Sequence, residues 1–368
     1  MKKTLLVLAT LAATAGFAQA ASVTLYGAAD AGLVYTYTKV KDADGSNTTH
    51  QYGLDSGNYG ASKWGLKGEE DLGNGYKVSF KLENGFSLDD GRAGQDGRLF
   101  GREASLTVSG PFGALSVGRM GALTSGMGTY DIFQAYADVM DGGVNKIGAG
   151  LWNATDRYDN MLTYATPNLA GLTGYVQYSL QTSGSEQANE RANDRYWAVG
   201  ATYDNGPLGL VAVVDSNRKA KHQNVYVEDD EEVTEKVHDS YTLSLGGNYD
   251  FGSFKLYAGA QYGENINTSF GLTELDVDVK GYTAHLGAAI PLPCGELKAS
   301  LWHTNGKVKG EDGKVKVYGV GLVHGYPLSK RTTFYSGVGA TYAKDTTEAD
   351  NTTKTTSAQV LFGLNHTF

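Results

Sequence analysis

The side chains that most often carry chemistry are sparse in this chain. The seven histidines, at 50, 222, 238, 285, 303, 324 and 366, show no spacing that would hold a metal ion. The single Cys294 removes every disulfide framework and multi-cysteine site. Gly319-Val-Gly321 and Gly337-Val-Gly339 sit in strand-like stretches with no helix after them, so neither forms a phosphate cradle. Hydrolysis needs a nucleophile or a water held by a base, and no Ser–His or His–carboxylate pair stands out at a common strand height. The reading therefore expects no metal and no cofactor.

What remains is charge placed at alternating positions. Lys63 and Lys67 share a face with Gly65, opposite Trp64 and Leu66. Arg157 stands opposite Tyr158, Leu162 and Tyr164 by the same count, and Asp30 shares a face with Tyr26 and Ala28. Arg119 shares parity with the apolar Leu115 and Val117, which points it outward as an ion-pair partner at a subunit interface. The stretch from Met120 to Asp156 mixes Tyr130, Ile132, Phe133, Tyr136, Val139 and Met140 with Asp131, Asp138 and Asp141. A solvated loop has no use for so many apolar groups, whereas a loop packed on a wall does, and loops this long are usually functional.

The elements that position these charges are strands. Leu243, Leu245, Tyr249 and Phe251 alternate with polar residues, and so do Ala358, Val360, Phe362, Leu364, His366 and Phe368, with Leu361 as an exception. Period-two alternation marks a strand with one apolar face. It predicts sixteen strands, near 22–37, 61–71, 76–86, 99–109, 114–119, 157–165, 172–181, 195–203, 208–216, 239–250, 254–263, 277–290, 296–305, 315–326, 332–343 and 357–368. Short Gly- or Pro-containing turns alternate with long polar connections such as 39–59, 217–238 and 344–356. In hydrocarbon every backbone N–H and C=O must be paired, so a spanning sheet has to close. The expectation is an all-β, sixteen-stranded antiparallel transmembrane barrel with apolar faces on lipid and polar faces on a lumen.

Composition agrees. Of 368 residues 50 are Gly and 24 are Tyr, against 12 Phe and 4 Trp, a mixture too glycine-rich for a helical enzyme and too aromatic for disorder. Residues 1–20 read as a secretory signal peptide, with Lys2 and Lys3, an apolar run, and cleavage after Ala20 in Ala18-Gln19-Ala20. The barrel then spans 21–368. Losing two lysines leaves 29 basic and 40 acidic groups, net −11, which offers no footprint for nucleic acid.

Several segments carry a family resemblance: Ser22-Val-Thr-Leu-Tyr-Gly27, Ser62-Lys-Trp-Gly-Leu-Lys-Gly-Glu-Glu-Asp-Leu-Gly73, Leu99-Phe-Gly-Arg-Glu-Ala104, Gly113-Ala-Leu-Ser-Val-Gly-Arg119, 157–169 and the closing Gly363-Leu-Asn-His-Thr-Phe368. Together they resemble the general diffusion porins of Gram-negative bacteria, especially the betaproteobacterial and neisserial type. The resemblance implies a homotrimeric outer-membrane pore with both termini periplasmic, through which ions and small hydrophilic solutes pass. It implies a third outer loop folded into the lumen, its aspartates (here Asp131, Asp138 and Asp141) facing a basic wall. Lys63, Arg102 and Arg157 are the wall residues, with Lys67 and Asp30 lining the pore elsewhere. Arg102 matches the family's strand-four arginine, but it shares a face with Ala104, Leu106 and Val108. The lumen is chosen for it because Glu103, Ser105 and Thr107 suit an interface better than lipid. The terminal Phe368 is the residue that the barrel-insertion machinery would read. Outer-membrane lipid and lipopolysaccharide are further partners, and the acidic run from Glu228 to Glu235 is either a solvated loop or a contact for divalent cations or lipopolysaccharide.

Three charges on each side leave the sign of ion selectivity open. Other readings are a secreted β-sandwich or solenoid, a barrel enzyme with a rim histidine, and a sugar-selective pore with an aromatic path through Tyr175, Tyr257, Trp302 and Tyr335.

Overall fold

The computed structural model describes residues 22–140, 144, 147, 157–186, 188, 193–220, 223–228, 231–236, 238–270, 273–308, 313–346 and 352–368. Ala20 and Asp141 lie outside them. The strands are β1 (Ser22–Lys41), β2 (Ser46–Ser56), β3 (Lys63–Gly73), β4 (Tyr76–Gly85), β5 (Glu103–Gly110), β6 (Gly113–Gly121), β7 (Arg157–Ala165), β8 (Leu172–Ser179), β9 (Arg195–Asn205) and β10 (Leu208–Arg218). After them come β11 (Gln223–Glu228), β12 (Glu231–Lys236), β13 (Ser240–Asp250), β14 (Lys255–Phe270), β15 (Thr273–Leu292), β16 (Gly295–Val308), β17 (Lys314–Pro327), β18 (Thr332–Asp345) and β19 (Thr353–Thr367). A short α-helix, α1 (Phe133–Ala137), lies between β6 and β7.

Sixteen strands close a ring. β1 pairs with β3, each later wall strand pairs with the next, and β19 returns to β1 with Ala28 opposite Thr367 and Lys41 opposite Lys354. The backbones of Gly27 and Phe368 exchange two 3.0 Å hydrogen bonds at the seam. All sixteen predicted strands are present. β11 and β12 form a separate hairpin within the long 217–238 connection.

The apolar faces point out: Leu243, Leu245, Val360, Phe362 and Leu364 are 42–51% exposed. The short connections share one rim with the chain end. At Gly73-Asn74-Gly75 all three residues adopt positive φ, a turn that only glycine and asparagine enter easily. The opposite rim carries the long connections.

β2 belongs to a stretch that alternation did not mark, because both of its faces are largely exposed. It runs beside the outer half of β1 and leads into β3, so β2 and β3 form one broken strand. Residues 57–62 leave the wall at the break.

Candidate functional site

The inner face of β3, β4 and β5 is charged. Glu83 and Glu103 stand directly opposite each other across β4 and β5 and are almost fully buried. Like charges in that position repel, and they persist only because cations bracket them. Arg102 Nε donates to Glu83 Oε1 at 2.8 Å, Lys81 Nζ to Glu103 Oε2 at 2.8 Å, and Lys63 lies 3.7 Å from Glu83. Tyr26 donates its hydroxyl to Glu83 at 2.9 Å, and Lys67 sits 5.3 Å from the Tyr26 ring centre. Tyr26 can lie there because residue 65 is glycine: a Cβ would stand 2.8 Å from its phenol oxygen. Lys63 and Lys81 keep 34% and 26% of their side chains exposed, against 3% and 2% for the two glutamates. Four cations thus stand over two sunken carboxylates, net +2, and the ammonium groups meet the water.

The segment after β6 takes the other side. Leu123, Ile132 and Phe133 are buried with Tyr196, Ala198, Val211 and Val213 of β9 and β10. Val139, Met140, Val144 and Ile147 are buried with Ala289, Val323, Tyr335, Leu361 and Val34. The segment rests in notches of missing side chains. A Cβ at Gly200 would meet Leu123 and Ile132, one at Gly246 would come within 2.5 Å of the Ala137 Cβ, and one at Gly287 would collide with Val139. Gly337 and Gly339 receive Ile147 in the same way. Polar contacts fix the ends: Leu123 N–H donates to Gln177 (3.0 Å), Thr124 to Asp215 (3.1 Å) and Asn248 to the Tyr136 carbonyl (2.9 Å). Tyr136 also donates to Asp204 at 2.7 Å. Burial, reinforced by that acceptor, pushes its phenol up to about 12. Thr129 crosses back to the charged sector and donates to Glu103 at 2.6 Å.

A closed ring of sixteen strands with a charged inner sector and a long packed segment invites comparison with known channels. The profile of the Gram-negative porin family matches residues 7–346. The chain belongs to that family. It is 33% identical to an outer membrane porin of Bordetella pertussis over the full length of both chains. It is 34% identical to outer membrane porin protein 32 of Delftia acidovorans, covering 94% of this chain and 91% of that one. Its fold superposes on the anion-selective porin of Comamonas acidovorans with a TM-score of 0.67 and 26% identity, over 95% of this chain and all of the other. This porin is accordingly an outer-membrane, multi-pass channel of a Gram-negative bacterium for passive passage of ions and small hydrophilic solutes, and members of the family are channels.

The site residues expected in the porin's sequence fare unequally. Lys63, Lys67 and Arg102 meet in the charged sector. Arg102 arrives by a different route from the one parity suggested. Leu106 and Val108 face outward, 48% and 38% exposed, while Glu103 and Ser105 are buried on the inner face. Arg102 precedes β5, so strand parity does not bind it, and its stem lies over the bare Gly85 to reach Glu83.

Arg157 opens β7, opposite Gly121 of β6. Asn160 takes φ 50°, the register shifts between β6 and β7, and Tyr158 turns inward, its ring centre 4.5 Å from that of Tyr196 in a tilted contact. The assumed outward Tyr158 was the basis for an inward Arg157, and that basis is gone. Its carbonyl instead accepts from Arg119, which also donates to Asp159 at 2.6 Å. Arg98 donates to both oxygens of Asp159, so Arg119 has its ion-pair partner within the same chain.

Two of the loop aspartates, Asp131 and Asp138, have partners within the segment or on the wall behind it. Asp138 is buried, 3.3 Å from His285 Nε2 on β15, and also accepts from the Met140 N–H. Asp131 accepts from the Gln134 N–H at the start of α1. The aromatic path is covered as well: Tyr335 is fully buried, Trp302 is 4% exposed, and Tyr175 and Tyr257 pack on the buried clusters.

Asp30 is a hub. Its carboxylate accepts from the N–H groups of Asn58, Tyr59 and Gly60, from Tyr335 at 2.9 Å and from Asn365 at 3.0 Å. It holds the 57–62 excursion and lets Tyr59 stack on Tyr335 at 5.2 Å.

Sequence reasoning missed Lys81, Glu83 and Glu103. The signal existed: Lys81 and Glu83 alternate with Phe80 and Leu82.

Proposed function

We propose that the narrow part of the pore lies between the β3–β5 sector and the segment after β6, and that it favours small anions. The observation that carries this reading is the arrangement of four cations over two buried glutamates. A solute sees the partly exposed ammonium groups, while the acids lie in low-exposure positions beneath them. Such a sector attracts anions and orients polar solutes. The Comamonas acidovorans structure, described as anion-selective, supports the sign.

In the same reading residues 1–20 are a leader removed after Ala20, both termini are periplasmic, and the long connections face the outside. Three copies assemble as a homotrimer. Outer-membrane lipid and lipopolysaccharide surround it, and Phe368 is the feature that the insertion machinery engages. The chain acts as a channel and performs no catalysis. The purified protein, reconstituted into a planar bilayer under a tenfold salt gradient, should give stepwise conductance and a zero-current potential of the anion-selective sign. Conductance with a cation-selective potential would refute the charge reading, and no conductance would refute the pore.

A further inference from the structure

Solute passage leaves unused a row of lysines on the outward face of β15 to β19. Outward parity there is set by Tyr282, Leu301, Tyr318, Tyr342 and Val360, each 38–56% exposed. Two residues closer to the long-connection rim on the same face of β15, β17 and β18 stand Lys280, Lys316 and Lys344; Lys314 on β17, Lys307 on β16 and Lys354 on β19 extend the row. All six are exposed. The registers oppose them to one another: Lys280 to Lys307, Lys307 to Lys314, Lys316 to Lys344, and Lys344 to Lys354.

Like charges directly opposite across a sheet destabilise it, so four such pairs in succession call for a counter-charge. Lys280 has Glu264 at 3.1 Å. Among the described residues the other five have no carboxylate at ion-pair distance. They cannot turn inward, because behind them Ile266, Val308, Val315, Val317 and Ala343 form a buried apolar cluster. Below the lysines lies an aromatic band. Tyr262 opposes Tyr282, His303 stacks on Tyr318 at 4.4 Å, and Tyr318 opposes Tyr342. Aromatic rings of this kind mark the membrane–water interface. Two residues of strand rise set the ammonium groups about 7 Å beyond the band, at headgroup height.

We propose that this row binds the phosphate groups of a lipid in the outer leaflet, its acyl chains lying against the apolar outer face of β16 to β19. The proposal rests on the reading that the long-connection rim faces the cell exterior. Charge complementarity and continuity with the lipid-facing wall select a phosphorylated lipid as the occupant.

The test uses the full-length porin in detergent and native mass spectrometry with bis-phosphorylated lipid A, phosphate-free lipid A and inorganic phosphate. Wild type should retain bis-phosphorylated lipid A, and the other two probes should bind far more weakly. The variant Lys307→Gln, Lys314→Gln, Lys316→Gln, Lys344→Gln should lose about fivefold in affinity per charge removed, at about 1 kcal/mol per lysine near an anionic surface. Unchanged heat-modifiable migration and conductance establish that this variant is folded. Equal retention by variant and wild type, or equal binding of phosphate-free lipid A, overturns the site. Membrane-impermeant maleimide should label Asp44→Cys, in a Cys294→Ser background, on intact cells. Protection of that cysteine with lipid binding intact overturns the outer-leaflet placement alone.

Discussion

Two sectors of one inner wall are built on opposite principles. From β8 round to β19 the wall is a seat: its glycines and small residues receive a packed segment, and its inward valines are buried. From β3 to β5 the wall carries long charged side chains, and Thr129 of that segment reaches it through Lys81 and Glu103. The seat is defined by shape and the charged sector by electrostatics. Changes in the seat should therefore alter stability and channel noise with little effect on ion preference, whereas changes in the charged sector should move ion preference.

The largest effect is expected in the seat. Gly246→Leu places a branched side chain where even a Cβ would come 2.5 Å from Ala137. Overpacking of this kind destabilises by about 1–3 kcal/mol or displaces the segment. Denaturant unfolding in detergent should shift accordingly, and single-channel records should show larger or noisier openings. An unchanged midpoint and noise level would mean that the segment does not sit there.

Asp138→Asn removes one partner of a buried pair with His285 and should cost about 1–3 kcal/mol. Because Asp138 is buried, its zero-current potential should match wild type. A clear shift would place that carboxylate in the solute path and dissolve the contrast between the sectors.

In the charged sector, Glu83→Gln removes one negative charge and takes the net charge from +2 to +3. Anion preference should rise slightly, with an unfolding midpoint lower by about 1–3 kcal/mol as Arg102 and Tyr26 lose a charged acceptor. A shift toward cations in the zero-current potential would show that the glutamate is sensed from beneath the cations with the wrong sign.

The smallest effect belongs to Tyr136→Phe, which removes the hydrogen bond to Asp204 and about 0.5–1.5 kcal/mol. The phenol is raised from 10.0 to about 12 in the folded chain, so its contribution is complete below pH 10 and disappears as pH rises through 12. The difference in stability between variant and wild type should vanish over that window.

How much of this was legible in the sequence follows from the same contrast. Period two marks a strand wherever one face meets lipid, and all sixteen wall strands were readable for that reason. The rule fails where the inner face is covered. Leu361 broke the alternation of β19 because it lies under Ile147, and Val211 and Val213 point inward beneath the loop. The parity that pointed to Lys63 and Lys67 would also have pointed to Lys81 and Glu83. It gives no reliable count at Arg157, because a single left-handed residue at Asn160 resets it and nothing in the residue types announces this. It could not locate Asp138, whose partner His285 is distant in the chain.

The central claim is that cations of β3 to β5 set the field of the pore. It is tested most directly by the zero-current potential of Lys63→Glu, Lys81→Glu, Arg102→Glu in a salt gradient. The triple change moves the sector by six charge units, from +2 to −4, against one for Glu83→Gln. The potential should reverse from anion- to cation-selective while the barrel still inserts and conducts. A conducting variant that keeps the wild-type potential would contradict the account.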